Sequence, residues 1–255
     1  MIGKRKKAVG SDQAYGTLLG DRLSFAASEA YKLLRANLEF ALPDEQGCRV
    51  VGVTSSVRGE GKSTTTLNLA YSIAETGKLV LVIEADMRLP TLTKRLGLKS
   101  TKGISNLLAG QCTGADVLQK SGLHKNLWVI PAGDIPPNPS ELLGSEQMRI
   151  TTEVLCKDFD FILLDLPPVT AVSDPLVVSK LVHGMVLVVR QNYSNRRALA
   201  ETVRQLRFAD AKILGFVMTG ADASETGRRY YKKYGYGYGY GDYEQSGKKN
   251  ETTSP

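Results

Sequence analysis

The fold is decided by residues 49–64, which read RVVGVTSSVRGEGKST. The stretch begins with a valine-rich apolar run, Arg49–Thr54, which is typical of a buried β-strand. A glycine-containing turn follows, and after it the segment Gly61–Glu75 has the apolar spacing of a helix. Such a turn lets backbone N–H groups converge on phosphate oxygens, and the N-terminus of the helix adds a partial positive charge. The stretch therefore predicts a phosphate-binding loop between a strand and a helix.

Residues 56–63 resemble the Walker A pattern, GxxxxGK followed by Ser or Thr, with Ser56 in place of the usual first glycine. In that pattern the lysine, here Lys62, reaches the β- and γ-phosphates of a nucleotide. The hydroxyl of the next residue, here Ser63, binds Mg²⁺. The residues predicted to contact the nucleotide are Ser56, Arg58, Gly59, Glu60, Gly61, Lys62, Ser63 and Thr64.

Apolar runs alternate with helical patterns along the rest of the chain. Further strands are predicted at Leu79–Glu84, Leu127–Pro131, Phe161–Leu164, Gly184–Val189 and Lys212–Met218, and further helices at Glu146–Cys156 and Arg196–Phe208. Continuously apolar strands that alternate with helices are typical of a parallel sheet covered on both sides. The predicted fold class is therefore α/β, with a mostly parallel sheet and helices on both faces.

Acidic side chains follow two of the predicted strands. Asp86 comes just after Leu79–Glu84, and Asp165 comes directly after Phe161–Leu164. Because the carboxyl ends of parallel strands open on one edge of a sheet, we expect Lys62, Asp86 and Asp165 to converge there. Carboxylates are ligands of Mg²⁺ in proteins, so the predicted metal-binding set is Ser63, Asp86 and Asp165.

Composition and charge exclude several other classes of protein. The chain has 255 residues and a net charge of +7, most of which lies in residues 1–20 and 228–255. A nucleic-acid-binding domain usually carries its charge on a folded face, so no nucleic acid is expected as a partner. The three cysteines form no CxxC pair and are interpreted as reduced thiols. No apolar run reaches the roughly 18–20 residues of a membrane helix, so a cytoplasmic protein is predicted.

The predicted organisation is a flexible basic arm over residues 1–24, a folded domain over residues 25–226 and a disordered tail over residues 227–255. The domain is expected to begin with a helix over residues 28–40, with Ser28 as its N-cap. Its predicted apolar side carries Ala30, Leu33, Leu34 and Leu38, and its charged side carries Glu29, Lys32, Arg35 and Glu39.

The predicted tail holds seven of the eleven tyrosines of the chain, interleaved with glycines and lysines. These tyrosines are Tyr230, Tyr231, Tyr234, Tyr236, Tyr238, Tyr240 and Tyr243. A low-complexity segment of this kind is expected to be unfolded in isolation.

Taken together, these motifs resemble those of the bacterial tyrosine kinases, whose P-loop domain is related to the MinD/ParA group of ATPases. The family's DxDxR motif corresponds to Glu84–Arg88, its DxxP motif to Asp165–Pro168 and its tyrosine cluster to Tyr230–Tyr243. Its ExxRxxR oligomerisation helix is matched by Glu29, Lys32 and Arg35, and residues 136–143 also resemble a family loop. The departures are Glu84 for aspartate, Lys32 for arginine and Arg58 where proline is frequent.

The resemblance implies an ATP- and Mg²⁺-dependent kinase that phosphorylates its own tyrosine cluster in a neighbouring subunit of a ring-shaped homo-oligomer. It implies a transmembrane activator of the chain-length-regulator type, which recruits the kinase to the inner face of the membrane. It also implies a cognate tyrosine phosphatase and a role in capsule or exopolysaccharide synthesis. The catalytic residues that it implies are Lys62, Glu84, Asp86, Arg88 and Asp165. Either Glu84 or Asp86 would accept the tyrosine proton, and Arg88 would either stabilise charge or hold the acidic loop.

Two alternatives are kept open. The first is a positioning ATPase of the MinD/ParA type, whose signature lysine would stand at position 57, where this chain has Val57. The second is a nucleotide-gated scaffold without kinase activity, whose tyrosine-rich tail is an adhesive arm or binds RNA by stacking.

Overall fold

The computed structural model describes residues 19–42, 47–98 and 102–221. Within these ranges the chain forms a seven-stranded sheet of order β3-β4-β2-β5-β1-β6-β7. Only the short edge strand β3 runs antiparallel to its neighbour, β4, and every other neighbouring pair is parallel. The strands are β1 (Arg49–Ser55), β2 (Val80–Glu84), β3 (Gln119–Lys120), β4 (Leu127–Ile130), β5 (Phe161–Asp165), β6 (Gly184–Arg190) and β7 (Ile213–Thr219).

Helices cover both faces of the sheet, so the predicted α/β class is confirmed. The longer helices are α1 (Phe25–Ala41), α2 (Lys62–Ala74), α7 (Glu146–Leu155) and α9 (Arg196–Phe208). The shorter helices are α3 (Leu92–Leu96), α4 (Ile104–Leu108), α5 (Gly114–Val117), α6 (Pro139–Leu143) and α8 (Asp174–Val178). The predicted strands and long helices are all present, with ends that differ by up to three residues. The edge strand β3 and the helices α6 and α8 were not predicted.

Successive residues of a strand point to opposite faces, and the sheet accordingly has two apolar cores. Val51 of β1 belongs to one core, with Leu38 of α1 and Ile73 of α2. Val50 belongs to the other, with Met148 of α7 and several residues of α4, α6, α8 and α9. The central strands β1, β2 and β5 are almost completely buried, which explains why their sequences are apolar without alternation.

The first helix differs from its prediction. It begins at Phe25 rather than Ser28, and its N-cap is Ser24, whose hydroxyl accepts a hydrogen bond from Ala27 N–H at 3.3 Å. Ala30 and Leu33, which were assigned to the apolar side, are exposed. The face that packs on the domain carries Leu34 and Leu38, as predicted, together with Tyr31 and Leu42.

The folded part also begins before residue 25. Leu19 and Gly20 are buried, and Gly20 N–H donates to Asn68 Oδ1 of α2 at 3.0 Å. The predicted arm over residues 1–24 therefore includes a segment, residues 19–24, that packs against α2. Residues 1–18, the predicted boundary at 226/227 and the tyrosine cluster Tyr230–Tyr243 lie outside the described residues.

None of the described helices is both long enough and apolar enough to cross a bilayer.

Candidate active site

The phosphate-binding loop joins β1 to α2, as predicted. Gly59 and Gly61 have φ angles of +82° and +95°, which only glycine adopts without strain. Gly61 is the N-cap of α2, so the loop leads directly into the positive end of a helix whose first two residues are Lys62 and Ser63. The backbone conformation that binds phosphate is therefore present although Ser56 replaces the first glycine.

Lys62 forms a nearly buried ion pair with Asp86. Its Nζ lies 2.8 Å from Asp86 Oδ2, and the two side chains are 13% and 7% exposed. Burial acts to lower the pKa of Lys62, but the negative charges of Asp165 and Asp86 outweigh it and the net shift is upward. The surrounding carboxylates therefore favour the charged form of Lys62, which is the form that binds an anion.

Asp165 is completely buried at the end of β5. Register pairs it with Glu84, the last residue of β2, and with Val53 of β1, so β2 and β5 end at the same level and β1 extends two residues further. Neither carboxylate oxygen has a hydrogen bond of ordinary geometry among the described residues, although the Ser63 hydroxyl is close enough to lower the pKa of Asp165. Burial raises the pKa of Asp165, and the positive charge of Lys62 opposes the rise. A buried carboxylate without partners is costly, which indicates a site that receives a cation or a polar ligand.

Glu84 is also buried, but its carboxylate has partners. Oε1 accepts hydrogen bonds from Thr91 N–H and from Leu92 N–H, the latter at 2.6 Å, and Oε2 accepts one from Ala132 N–H at 3.2 Å. Burial raises the pKa of Glu84, and these backbone donors act in the opposite direction. Through these hydrogen bonds Glu84 connects β2 to the start of α3 and to the segment just after β4. The structure therefore leaves Asp86 as the more accessible of the two candidates for the proton acceptor.

Arg88 forms a two-point ion pair with Asp174 at the start of α8. Its Nε and Nη2 donate to Asp174 Oδ2 and Oδ1 at 3.0 and 3.1 Å, and Nη2 also donates to Ser140 Oγ at 3.2 Å. Ser140 in turn donates to Asp174, which exposes no surface. The hydrogen bond and charge of Asp174 raise the pKa of Arg88. Of the two roles left open for Arg88, this geometry favours holding the acidic loop.

Asp174 and Ser140 were not predicted as site residues. In the sequence, Asp174 precedes Pro175 and a short apolar run, which indicates only the start of a helix. Ser140 lies in the proline-rich loop, residues 136–143, that resembles a loop of the family. This resemblance was the one feature of the sequence that could have identified Ser140 as a site residue.

Not every residue predicted to contact the nucleotide faces an open site. Gly59, Gly61, Lys62 and Ser63 lie along the loop and the first turn of α2, and Arg58 is exposed beside them. Ser56 is 1% exposed, and its carbonyl oxygen accepts from Thr170 Oγ1 at 2.6 Å. The Glu60 side chain is buried, and Thr64 Oγ1 accepts from Arg95 Nη1 at 2.7 Å.

The charged residues of α1 are divided between two roles. Lys32 Nζ lies 2.8 Å from Glu29 Oε1, and both side chains are 44% exposed. Arg35 donates instead to the carbonyl oxygen of Ser72 in α2 and, at 3.2 Å, to the Ser72 hydroxyl. Arg35 was assigned to the charged side of the predicted helix with Lys32, but its guanidinium contacts α2 and so holds α1 on the domain.

Comparisons with known proteins identify the family of this chain. Residues 48–210 match the family described as the AAA domain. The chain is 37% identical over 198 residues to the tyrosine-protein kinase YwqD of Bacillus subtilis, covering 78% of this chain and 83% of the relative. It is 30% identical over 208 residues to the tyrosine-protein kinase CpsD of Streptococcus agalactiae, covering 81% of this chain and 89% of the relative.

Solved structures give the same assignment. The kinase domain of the Escherichia coli tyrosine kinase ETK has a TM-score of 0.74 and 29% identity, covering 93% of this chain and 88% of that chain. The chimerical protein CapA2B2 has a TM-score of 0.74 and 31% identity, covering 80% of this chain and 89% of that chain. This assignment favours the predicted kinase over the positioning-ATPase and scaffold alternatives. The chain belongs to the bacterial tyrosine kinases, and it is a protein-tyrosine kinase with a nucleotide-binding P-loop fold.

Proposed function

We propose that this kinase transfers the γ-phosphate of ATP to the tyrosines of its own cluster, Tyr230–Tyr243, in a neighbouring subunit. The observation that carries the proposal is the convergence of Lys62, Asp86 and Asp165 beside the phosphate-binding loop. Phosphoryl transfer requires chiefly that the reacting groups are positioned and that their charge is neutralised, and this arrangement supports both.

The residues present fit a magnesium ion. Mg²⁺ is held by one or two carboxylates together with water and substrate phosphates, and it would neutralise charge on the transferring group. The unpartnered oxygens of Asp165 and the Ser63 hydroxyl, with Asp86 once Lys62 is engaged elsewhere, form a donor set of this kind. The described part of the chain contains no group of three or more His, Cys, Asp or Glu side chains placed to hold a metal. The donor set of Asp165, Ser63 and Asp86 would leave the remaining positions around Mg²⁺ to water and nucleotide phosphates.

Asp86 is the proposed acceptor of the tyrosine proton. Oδ2 is paired with Lys62, and Oδ1 accepts a hydrogen bond from Leu89 N–H at 3.2 Å. Nucleotide phosphates compete with Asp86 for Lys62, because the lysine of this loop binds β- and γ-phosphates. Binding of ATP therefore frees Asp86 Oδ2, which would serve either the magnesium ion or the incoming hydroxyl, while the Leu89 amide keeps the carboxylate in place.

Sequence proximity supports the tail as substrate. Thr219, the last residue of β7, donates from Oγ1 to the carbonyl oxygen of Glu60 in the phosphate-binding loop at 2.6 Å. The segment between Thr219 and the cluster can extend by about 3.3–3.6 Å per residue, so Tyr230–Tyr243 are within about 40–80 Å of the loop.

The proposal includes the partners that the resemblance implies. These are a ring-shaped homo-oligomer formed through the helix that carries Glu29 and Lys32, a transmembrane activator that recruits the kinase to the inner face of the membrane, and a tyrosine phosphatase that reverses the modification. The proposed biological role is the control of capsule or exopolysaccharide synthesis.

A mixing experiment tests autophosphorylation between subunits. One variant, Lys62→Met, has a defective site and an intact tail, and the other has an intact site and all seven cluster tyrosines changed to phenylalanine. We expect phosphotyrosine on the Lys62→Met chain only when both variants and Mg-ATP are present together with the activator's cytoplasmic segment. If wild-type protein becomes labelled but the mixture does not, transfer occurs within one chain. If wild-type protein is not labelled either, the tail is not the substrate.

A further inference from the structure

Three consecutive carbonyl groups of the phosphate-binding loop are each bound by a side chain from outside the loop. Tyr193 Oη donates to the carbonyl oxygen of Arg58 at 3.0 Å, and Arg190 Nη1 donates to that of Gly59 at 3.1 Å. Thr219 Oγ1 donates to the carbonyl oxygen of Glu60 at 2.6 Å. The donors come from the end of β6, from the loop that follows it and from the end of β7, and β6 and β7 are the two strands beyond β1 in the sheet.

A buried carboxylate, that of Glu60, also joins the phosphate-binding loop to residues 190–194. Glu60 is fully buried, and its Oε2 accepts a hydrogen bond from Val57 N–H at 2.9 Å. Its Oε1 accepts one from the Ser194 hydroxyl, which itself accepts one from Arg190 N–H at 2.6 Å. Glu60 was predicted to contact the nucleotide, but its side chain points into the protein and links the loop to residues 190–194.

The position of Tyr193 adds a steric reason for glycine at position 59. A Cβ atom on Gly59 would lie 2.9 Å from Tyr193 Oη, closer than a non-bonded carbon normally approaches. The ring of Tyr193 is 54% exposed and has the Arg190 guanidinium 5.3 Å from its centroid. The loop, the tyrosine and the arginine are therefore packed as one unit.

From this geometry we propose that Arg190, Tyr193, Ser194 and Thr219 are positioning residues for phosphate binding. A trans peptide unit is planar, and its C=O and N–H point in opposite directions. Binding the carbonyls of residues 58, 59 and 60 on one side therefore directs the N–H groups of residues 59, 60 and 61 to the other side. Those are the groups that form an anion-binding concavity in a loop of this kind. Because the donors are already oriented, the loop needs no rearrangement when the nucleotide arrives.

Four variants test the proposal. Tyr193→Phe removes only the hydroxyl and keeps the ring contact with Arg190, and Thr219→Val replaces a hydroxyl with a methyl group of similar size. Ser194→Ala breaks the link to Glu60, and Ser194→Thr keeps it. Thr113→Ala is the matched control, because it also removes a hydroxyl hydrogen bond, to Asp116 at 2.9 Å, but at an exposed helix cap.

The measurements are the affinities for Mg-ADP and for adenosine, and hydrogen exchange of the amides of residues 57–61. For Tyr193→Phe combined with Thr219→Val, and for Ser194→Ala, we expect about tenfold weaker binding of Mg-ADP, faster exchange and an unchanged affinity for adenosine. Ser194→Thr and Thr113→Ala are expected to behave as wild type. In phosphoryl transfer, Ser194→Ala and the combination of Tyr193→Phe with Thr219→Val should raise the KM for ATP more than they lower kcat.

Unchanged Mg-ADP binding and exchange in Tyr193→Phe with Thr219→Val would overturn the proposal, as would equal losses for ADP and adenosine. Tyr193→Phe by itself alters no buried apolar contact, so it provides a folded variant even if Thr219→Val does not. Nucleotide binding and amide exchange require no phosphorylation of the tail. Failure of this proposal is therefore distinguishable from failure of the proposed autophosphorylation.

Discussion

Arg88 and Asp174 are 86 residues apart in the sequence, yet they form a two-point ion pair that fixes the loop after β2 to the start of α8. Asp174 has no exposed surface, whereas the Arg88 side chain is 38% exposed. Asp86, which pairs with the phosphate-loop lysine, is two residues before Arg88. The pair therefore determines where the proposed proton acceptor lies.

The first prediction follows from the burial of Asp174. Removing Arg88 leaves a buried carboxylate without its cation, which typically costs about 3–5 kcal/mol. We expect Arg88→Ala to lower the free energy of unfolding by about 3 kcal/mol in urea titrations and to reduce phosphoryl transfer. The control is Arg149→Ala, whose pairs with Glu146 and Glu153 are exposed and should contribute little to stability. Equal stability of the two variants would show that the Arg88 pair does not hold the loop.

Replacing the buried Asp165 should have opposite effects on the stability of the protein and on its activity. Its pKa is raised in the folded protein, so its contribution to stability is present below the ordinary pKa of an aspartate and is lost as pH rises through the folded value. In the absence of nucleotide and Mg²⁺, Asp165→Asn should therefore be more stable than wild type at neutral pH, by on the order of 1 kcal/mol. The difference should shrink towards pH 4.

Thermal unfolding between pH 4 and pH 8 measures this difference, with Asp158→Asn, an exposed site, as the control. The same Asp165→Asn variant should lose phosphoryl transfer by about a hundredfold or more. A stability difference that stays constant with pH would mean that the buried carboxylate is not the cause.

Glu84 is expected to act through positioning. Shortening it to aspartate should leave at least one of the buried amides of Thr91, Leu92 and Ala132 unpaired, at a cost of about 1–3 kcal/mol. We expect Glu84→Asp and Glu84→Gln to lower stability in urea titrations and to retain measurable transfer. Asp86→Asn is the comparison and should lose transfer with a smaller change in stability. If Glu84→Gln instead abolished transfer at unchanged stability, Glu84 would be the proton acceptor.

Substitutions of the two basic residues of α1 should have different effects, one on the stability of the chain and the other on its assembly. Arg35→Ala removes the contact with Ser72 of α2 and should destabilise the single chain by about 1–2 kcal/mol. Lys32→Ala removes only an exposed ion pair and should leave the free energy of unfolding nearly unchanged. Light scattering should nevertheless show a smaller oligomer for Lys32→Ala. If Lys32→Ala formed an oligomer of the same size as wild type, Lys32 would not be part of the proposed ring contact.

Local patterns predicted much of the fold and the centre of the site. The strand, loop and helix around Lys62 follow from apolar periodicity and glycine spacing within a single stretch. The meeting of Asp86 and Asp165 with Lys62 follows from the topology of parallel strands, which brings distant strand ends to one edge.

Contacts between distant polar residues could not be predicted in the same way. The pair Arg88–Asp174 and the link from Ser194 to Glu60 leave no periodic signal, because each joins two loops whose separation in sequence is arbitrary. Arg35 has the spacing of a charged-face residue, and only the packing of α1 on α2 shows that its guanidinium is used within the chain.

The central claim is that this kinase phosphorylates its own tyrosine cluster, and intact mass after incubation with Mg-ATP tests it most directly. Wild type and Lys62→Met are compared with and without the activator's cytoplasmic segment. The proposal predicts successive additions of single phosphates to wild type, strongest with the segment, located on Tyr230–Tyr243 and absent from Lys62→Met. Hydrolysis of ATP with no phosphate bound to the wild-type protein under either condition would contradict it.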